Sequence, residues 1–331
     1  MRRPIAAIVV VGIVVLLAGV LAARFLLGAG GSRGTGPDPA AVEMGIFSDL
    51  PGMTLGQSIA YREAQLGRTF AIDAHFYAWT DQFPGGPEEN DVAHGRIPLE
   101  NWWGVSVAAI NDGSQDSVIM AAAERLKAFG HPVFLRPLSE MNGDWFPWSG
   151  DPQAFIAAWR HIWDIFHQVG AANVSWVWAP NADSHPGGTD PNSPNNWTRY
   201  YPGDRYVDWV GIDGYNWGET TGFTWQSFGS IFQPVYDDYE SRKPIMIAEV
   251  SSLEWNPAWG TAPAGDSKAS WIGDAGSWLK SHPDVKAVVW YDTNRSRSEA
   301  DWRVDSSASS LRAYHRLVAD PYFQAPGSVR G

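Results

Sequence analysis

Two glutamates close apolar runs in this chain. Glu140 follows Pro132-Val-Phe-Leu-Arg-Pro-Leu-Ser139, and Glu249 follows Pro244-Ile-Met-Ile-Ala248. Burying a bare carboxylate is costly, so a glutamate ending an apolar strand needs a partner or a shifted pKa. A strand-end ion pair, for instance with Arg136, would satisfy one such group. Two of them, with no metal-ligand cluster beside them, suit glycoside hydrolysis. One carboxyl protonates the departing oxygen, and the other attacks the anomeric carbon or activates water. Sequence spacing leaves their separation open, about 5–5.5 Å in a retaining site and about 6.5–9.5 Å in an inverting one.

Such groups must be brought together by the elements that carry them. Eight apolar, β-rich runs recur: Val42–Phe47, Thr69–Phe76, Ile97–Trp102, Pro132–Leu138, Val174–Trp178, Val207–Ile212, Ile245–Glu249 and Val285–Tyr291. Several are continuous rather than alternating, as expected of parallel strands covered on both faces. Helical periodicity marks Ser117–Phe129, Ala154–Val169, Trp225–Tyr239, Lys268–Leu279 and Ser307–Val318. Thr80–Arg96 and Asn181–Arg205 are rich in Gly, Pro and Asn and read as long functional loops. Eight strand–crossover units fit an α/β fold, a (β/α)8 TIM barrel over residues 42–325, with active groups at the C-terminal ends of its strands. The competing open doubly wound sheet would carry a Gly-rich phosphate loop, and no G-x-G-x-x-G follows any strand here.

Composition narrows the function classes. The 331 residues carry a formal net charge of −12, which disfavours nucleic-acid binding through bulk charge. Cysteine is absent, excluding disulfides, thiol nucleophiles and Cys-ligated metals. The 19 Trp outnumber the 14 Phe and 11 Tyr, and flat aromatic faces suit a sugar cleft.

The N-terminus sets an expected compartment. Arg2 and Arg3 precede an apolar run from Ile5 to Ala23, too long for an ordinary signal core and close to a membrane span. Residues 1–27 therefore read as a signal-anchor, or a cleaved signal, and 28–41 as a flexible Gly/Pro linker. Either way the working domain is expected outside the cytoplasm, attached to the membrane or secreted.

The segment Leu135-Arg-Pro-Leu-Ser-Glu-Met-Asn-Gly-Asp-Trp145 resembles the R-P-x-H-E-M-N-G-x-W signature of glycoside hydrolase family 26, the β-mannanase family. The resemblance continues through Trp176-Val-Trp-Ala-Pro-Asn181, Tyr200-Tyr-Pro-Gly-Asp204, Val207-Asp-Trp-Val-Gly-Ile-Asp-Gly-Tyr215 and Lys243-Pro-Ile-Met-Ile-Ala-Glu249. It implies a (β/α)8 barrel, retaining endo-action on β-linked polysaccharide with mannan as the first guess, Glu140 as acid/base and Glu249 as nucleophile. It further implies that Trp145 borders the scissile subsite, Tyr215 orients the nucleophile, Trp290 stacks beneath the sugar, and Arg136 holds Glu249 ionised. Asn142 of the same motif joins the substrate-binding set. One position departs: Ser139 stands where the family has His, a shorter donor that cannot carry charge, which bears on substrate identity.

Further residues point to the same mouth. His75 ends the second run and is a candidate sugar contact or a satisfied core histidine. Trp79 and Trp103 read as distal platforms, Trp102 as packing, and Trp178 and Asn181 as cleft residues. Asp213 reads as a structural hydrogen-bonding group. Trp159 and Trp163, four apart in a helix, read as core. Asp81, Glu88, Glu89 and Asp91 read as a solvated acidic loop, and the histidines show no tight metal spacing, so neither metal nor cofactor is expected. No G-x-S-x-G elbow supports serine hydrolase chemistry. The expected partners are a β-linked polysaccharide and, through the N-terminal segment, a membrane; the chain is expected to be a monomer. The alternatives are an endo-glycanase for mixed-linkage glucan, xylan or an exopolysaccharide, and a non-catalytic carbohydrate-binding envelope protein on the same scaffold.

Overall fold

The computed structural model describes residues 42–324 apart from 221, 263, 264, 266 and 295–299. The signal-anchor and linker assignments lie outside the described residues. Among those described, no helix is long and apolar enough to cross a membrane.

In chain order the main elements are β1 (Val42–Asp49), α1 (Leu55–Leu66), β2 (Ile72–Ala78), α2 (Gly86–Ala93), β3 (Ile97–Trp103), α3 (Val107–Asn111), α4 (Asp116–Phe129), β4 (Val133–Pro137), α5 (Pro152–Val169) and β5 (Val174–Trp178). They continue with β6 (Trp209–Asn216), α6 (Phe228–Tyr239), β7 (Ile245–Ser252), α7 (Lys268–Ser281), β8 (Val285–Thr293), α8 (Ala308–Val318) and the two-residue β9 (Phe323–Gln324). Strands β1 to β8 pair in parallel with their sequence neighbours, and β8 and β2 both pair with β1, closing the barrel. All eight expected strands are present.

One expected connection differs, and one helix lies where the sequence reading marked none. The stretch read as the loop Thr80–Arg96 contains α2, and α1 fills the connection after β1. Both bury polar groups where an apolar stripe would be expected: α1 buries Ser58 and Arg62 beside Ile59 and Leu66, and α2 buries Glu88 and Asp91. Local capping explains where the helices begin. Thr54 and Gln57 form a reciprocal capping box ahead of α1, and Asp151 caps α5 just before Pro152.

Apolar side chains fill both faces of the strands. Ile72, Ala74, Leu99, Phe134, Val177 and Met246 belong to the cluster inside the barrel. A larger cluster, including Trp159, Trp176, Trp178 and Trp290, fills the layer between strands and helices. Gly211 faces the barrel interior, where an added Cβ would come within 2.7 Å of the Ala179 Cβ. This narrow floor lies directly below the inward side chains of Asp213 and Tyr215.

Candidate active site

Inward positions at the C-terminal ends of the strands build the site. On β4, Phe134 lies within the barrel and Arg136, two residues on, is fully buried above it. The chain then leaves the strand through Leu138 (φ 52°) and Glu140 (φ 55°), both in the left-handed region that non-glycine residues seldom adopt. Backbone bonds from Leu138 N to the Trp102 carbonyl (3.0 Å) and from Glu140 N to the Ala179 carbonyl (2.8 Å) hold this turn between β3 and β5. Glu140 therefore meets the cleft on a constrained backbone.

Glu249 is aimed by a bulge. Ile212 pairs with Ile247 but Asp213 with Glu249, so β7 carries an extra residue at Ala248. Ala248 faces the barrel interior, and the bulge lets the next residue reach the cleft as well.

The two glutamates have different surroundings. Glu140 accepts from Asn181 Nδ2 at 2.7 Å and from Trp145 Nε1 at 2.9 Å, both neutral donors. Burial raises its pKa, the charge of Glu249 adds to the effect, and the two donors with Arg136 offset part of it; the result is about 7. Glu249 instead accepts from the Arg136 guanidinium on one oxygen and from Tyr215 Oη at 2.5 Å on the other. Burial works against the charge on Arg136, but the carboxylates of Asp213 and Glu249 outweigh it and raise its pKa above the ordinary value. Asn101 completes the clamp by accepting from Arg136 Nε while donating to the His75 carbonyl at 2.8 Å. One carboxyl is thus biased towards holding a proton near neutrality, and the other is clamped by a cation and a phenol.

The pair opens into a cleft of about 1050 Å³ lined by Trp103, Ser139, Glu140, Trp145, Tyr215 and Glu249 among others. Tyr291, Trp217, Phe223 and Trp302 also line it, and the rings of Trp217 and Phe223 stack 5.3 Å apart. Sequence reasoning missed these four. Trp217 lies one residue beyond β6 and Tyr291 near the end of β8, so strand-end position was an available signal for both.

Several expected site residues lie elsewhere. Trp290 is fully buried against Trp271 and Tyr314 in the outer layer, and its neighbour Tyr291 takes the inward place. Trp178 is likewise buried, against Tyr201 and Tyr239. His75 points outward to Asp91 of α2, at 2.7 Å, while Phe76 lines the cleft. Asn142 is buried below the mouth, where it donates to the Asn181 carbonyl and to Ser184 Oγ and braces the loop after β5. Arg136 touches the carboxylates rather than open space. Trp79 is core, stacked on Trp102 with ring centroids 3.8 Å apart. Asp213 has the structural role expected, accepting from Arg136.

Known proteins resemble this chain in sequence and in fold. Residues 106–235 match the model of glycosyl hydrolase family 26. Endoglucanase H of Acetivibrio thermocellus is 38% identical over 274 residues, covering 78% of this chain and 28% of that protein. A mannan endo-1,4-beta-mannosidase of Bacillus subtilis is 32% identical over 109 residues, 30% of this chain and 27% of that one. The chain therefore spans little more than a quarter of the length of these curated relatives. Among solved structures, a GH26 beta-mannanase from Bacteroides ovatus superposes with a TM-score of 0.64 at 16% identity, covering 88% of this chain and 92% of the other. That likeness concerns the fold, a closed barrel of the same kind.

Proposed function

Residues 106–235 fall within glycosyl hydrolase family 26, and from that premise we propose that the barrel is a retaining endo-β-glycosidase acting on a β-linked polysaccharide. The observation that carries the reading is the asymmetry of the two strand-end carboxyls: neutral donors on Glu140, a cation and a phenol on Glu249. Glu140 gives its proton to the departing glycosidic oxygen as a Glu249 oxygen bonds to the anomeric carbon. Once esterified, Glu249 carries no charge, so one of the influences raising the Glu140 pKa disappears. Glu140 then accepts a proton from water as that water displaces the sugar from Glu249.

Mannan is the first substrate to assay. A β-glucan is the second reading, supported by the relative that aligns over 78% of this chain, which is named an endoglucanase, whereas the mannosidase aligns over 30%. A cleft of this size, lined by Trp103, Trp145, Trp217 and Phe223 with both glutamates, fits the binding of several sugar units and supports internal cleavage of a long chain. We assign the domain to the outside of the cytoplasm, tethered or released, on the strength of Arg2, Arg3 and the apolar run that follows. We also assign a monomeric working unit, because one chain supplies every group of the site. Protease accessibility on intact cells and sedimentation of the purified chain test these two assignments. For the activity, incubation with mannan, mixed-linkage glucan, xylan and bacterial exopolysaccharide should release new reducing ends from at least one. Sugar affinity that persists in Glu249→Ala, with no turnover by the parent, would instead mark a non-catalytic binding protein.

A further inference from the structure

On the far side of β2 and β3 from the cleft lies a second group of ionisable side chains that the reaction does not use. Asp73 and His75 project outward from β2, Glu100 projects outward from β3 as the register partner of His75, and Asp91 and Glu88 face them from α2. All five are buried, with Glu88 and Glu100 fully enclosed. Such a set is unusual in a strand–helix layer, which normally buries apolar side chains.

Most of the acceptor capacity is accounted for. Asp91 accepts from Arg96 Nε at 2.8 Å through one oxygen and contacts His75 Nε2 at 2.7 Å through the other. Glu88 accepts from Tyr77 Oη and from the Gly85 amide. Glu100 differs from both: its two carboxylate oxygens are buried and have no hydrogen-bond partner among the described residues, and Nδ1 of His75 beside it has none either. Asp73 adds another carboxylate, with Oδ2 at 3.9 Å from His75 Nε2. Four carboxyl groups thus share the space with two cationic candidates, Arg96 and His75, and Arg96 is also bound to Glu63. Glu100 is thus enclosed without a hydrogen-bond donor, its opposing charge coming from His75, and a buried carboxylate so thinly compensated is costly.

We propose that Asp73, His75 and Asp91, with Glu100 as the further ligand, form a binding site for a divalent transition ion of the zinc or manganese type. One ligand atom from each of the first three lies within 4.8 Å of the others. Ligands around a tetrahedral zinc are about 3.4 Å apart, given bond lengths near 2.1 Å. The observed separations of 2.7 and 3.9 Å from His75 Nε2 bracket that value, so small shifts suffice for these three, whereas Glu100 lies outside their 4.8 Å set and would reach the ion by a change of rotamer. An imidazole with carboxylates and no thiolate favours zinc or manganese over calcium, whose sites are built from oxygen alone. The ion would join β2, β3 and α2, holding in place a helix with little apolar surface of its own. It would also fix the strand whose His75 carbonyl receives Asn101, the residue that braces Arg136. The site is structural and independent of the glycosidase reading.

The test uses the full chain, stripped with a chelator and then given Zn²⁺, Mn²⁺, Ca²⁺ or Mg²⁺ separately. Metal content by mass spectrometry and the thermal midpoint are the readouts. The expected result is one equivalent of zinc or manganese retained per chain, with the midpoint rising by roughly 5 °C at saturating metal. Glu100→Gln and Asp73→Asn should each abolish that rise. Co²⁺ added to the stripped parent should give a visible absorption band of inner-sphere coordination that Glu100→Gln lacks, a readout available even if one variant folds poorly. No stoichiometric ion in the parent, retention of calcium or magnesium alone, or an equal metal-dependent rise in parent and variants would overturn the proposal. A Glu100→Gln chain more stable than the parent at every metal concentration would do so too, marking Glu100 as a carboxyl held neutral by a proton.

Discussion

Trp145 donates its indole N–H to Oε2 of Glu140 at 2.9 Å while its ring stays half exposed along the cleft. One side chain therefore both adjusts the proton affinity of Glu140 and presents a flat aromatic face to the cleft. Because its hydrogen bond favours the ionised carboxylate, Trp145 opposes the upward push of burial on Glu140.

That balance sets the pH dependence. The first step needs Glu140 protonated, and its pKa is raised to about 7, so kcat/KM should decline as pH climbs through that value. Trp145→Phe removes a contribution that lowers the pKa. The declining limb should therefore move to higher pH, with kcat/KM falling about tenfold from the lost contact. A pH–rate profile of both proteins checks the sign. A limb that moves to lower pH would contradict it.

Gly143 makes room for the same indole. A Cβ there would lie 2.5 Å from the ring carbons of Trp145, so Gly143→Ala must displace the ring. Since the indole is half exposed, it can move without disturbing the core. Activity should fall about as much as in Trp145→Phe, while the thermal midpoint shifts by no more than about 2 °C. Kinetics beside calorimetry separates the two effects.

What the sequence made legible follows from what its patterns contain. Continuous apolar runs located all eight strands, and a glutamate closing each of two runs located both carboxyls that the barrel brings into one cleft. Facing was harder to read. Parallel barrel strands are apolar on both sides, so a period of two gives no contrast between inward and outward residues. This is why Trp290 and Trp178 read as cleft residues, and His75 as either a cleft or a core residue, although the inward positions belong to Tyr291, Val177 and Phe76. The helix α2 was hidden for a related reason. Its buried face is made of Glu88 and Asp91, which in sequence look like a solvated loop.

Tyr215 is the neutral half of the clamp on Glu249. Its pKa is pushed well above the ordinary phenol value, first by burial and then by the neighbouring carboxylate, so it remains a donor throughout the working pH range. Hydrogen bonds to charged groups contribute about 1.5–3 kcal/mol, so Tyr215→Phe should lower kcat/KM by roughly 10- to 100-fold. The ring still packs near Trp302, and stability should change little. Steady-state kinetics and thermal denaturation together check this.

Arg136 has a different cost of removal. It is fully buried and pairs with Asp213 and Glu249 at once. Arg136→Met would leave two carboxylates without their cation, a loss on the order of 3–5 kcal/mol of stability. Denaturant unfolding should show it, with a larger loss at pH 8 than at pH 5, where protonation relieves the unpaired groups.

The central claim is that Glu249 becomes covalently attached to sugar while Glu140 moves the proton. The most direct test treats the chain with a 2-deoxy-2-fluoro-β-glycosyl fluoride of the sugar that the substrate panel selects, and maps the added mass by peptide sequencing. The account predicts one sugar per chain on the peptide containing Glu249, no label in Glu249→Ala, and no release of reducing ends by that variant. Attachment at Glu140, or polysaccharide cleavage by Glu249→Ala at the parent's rate, would contradict it.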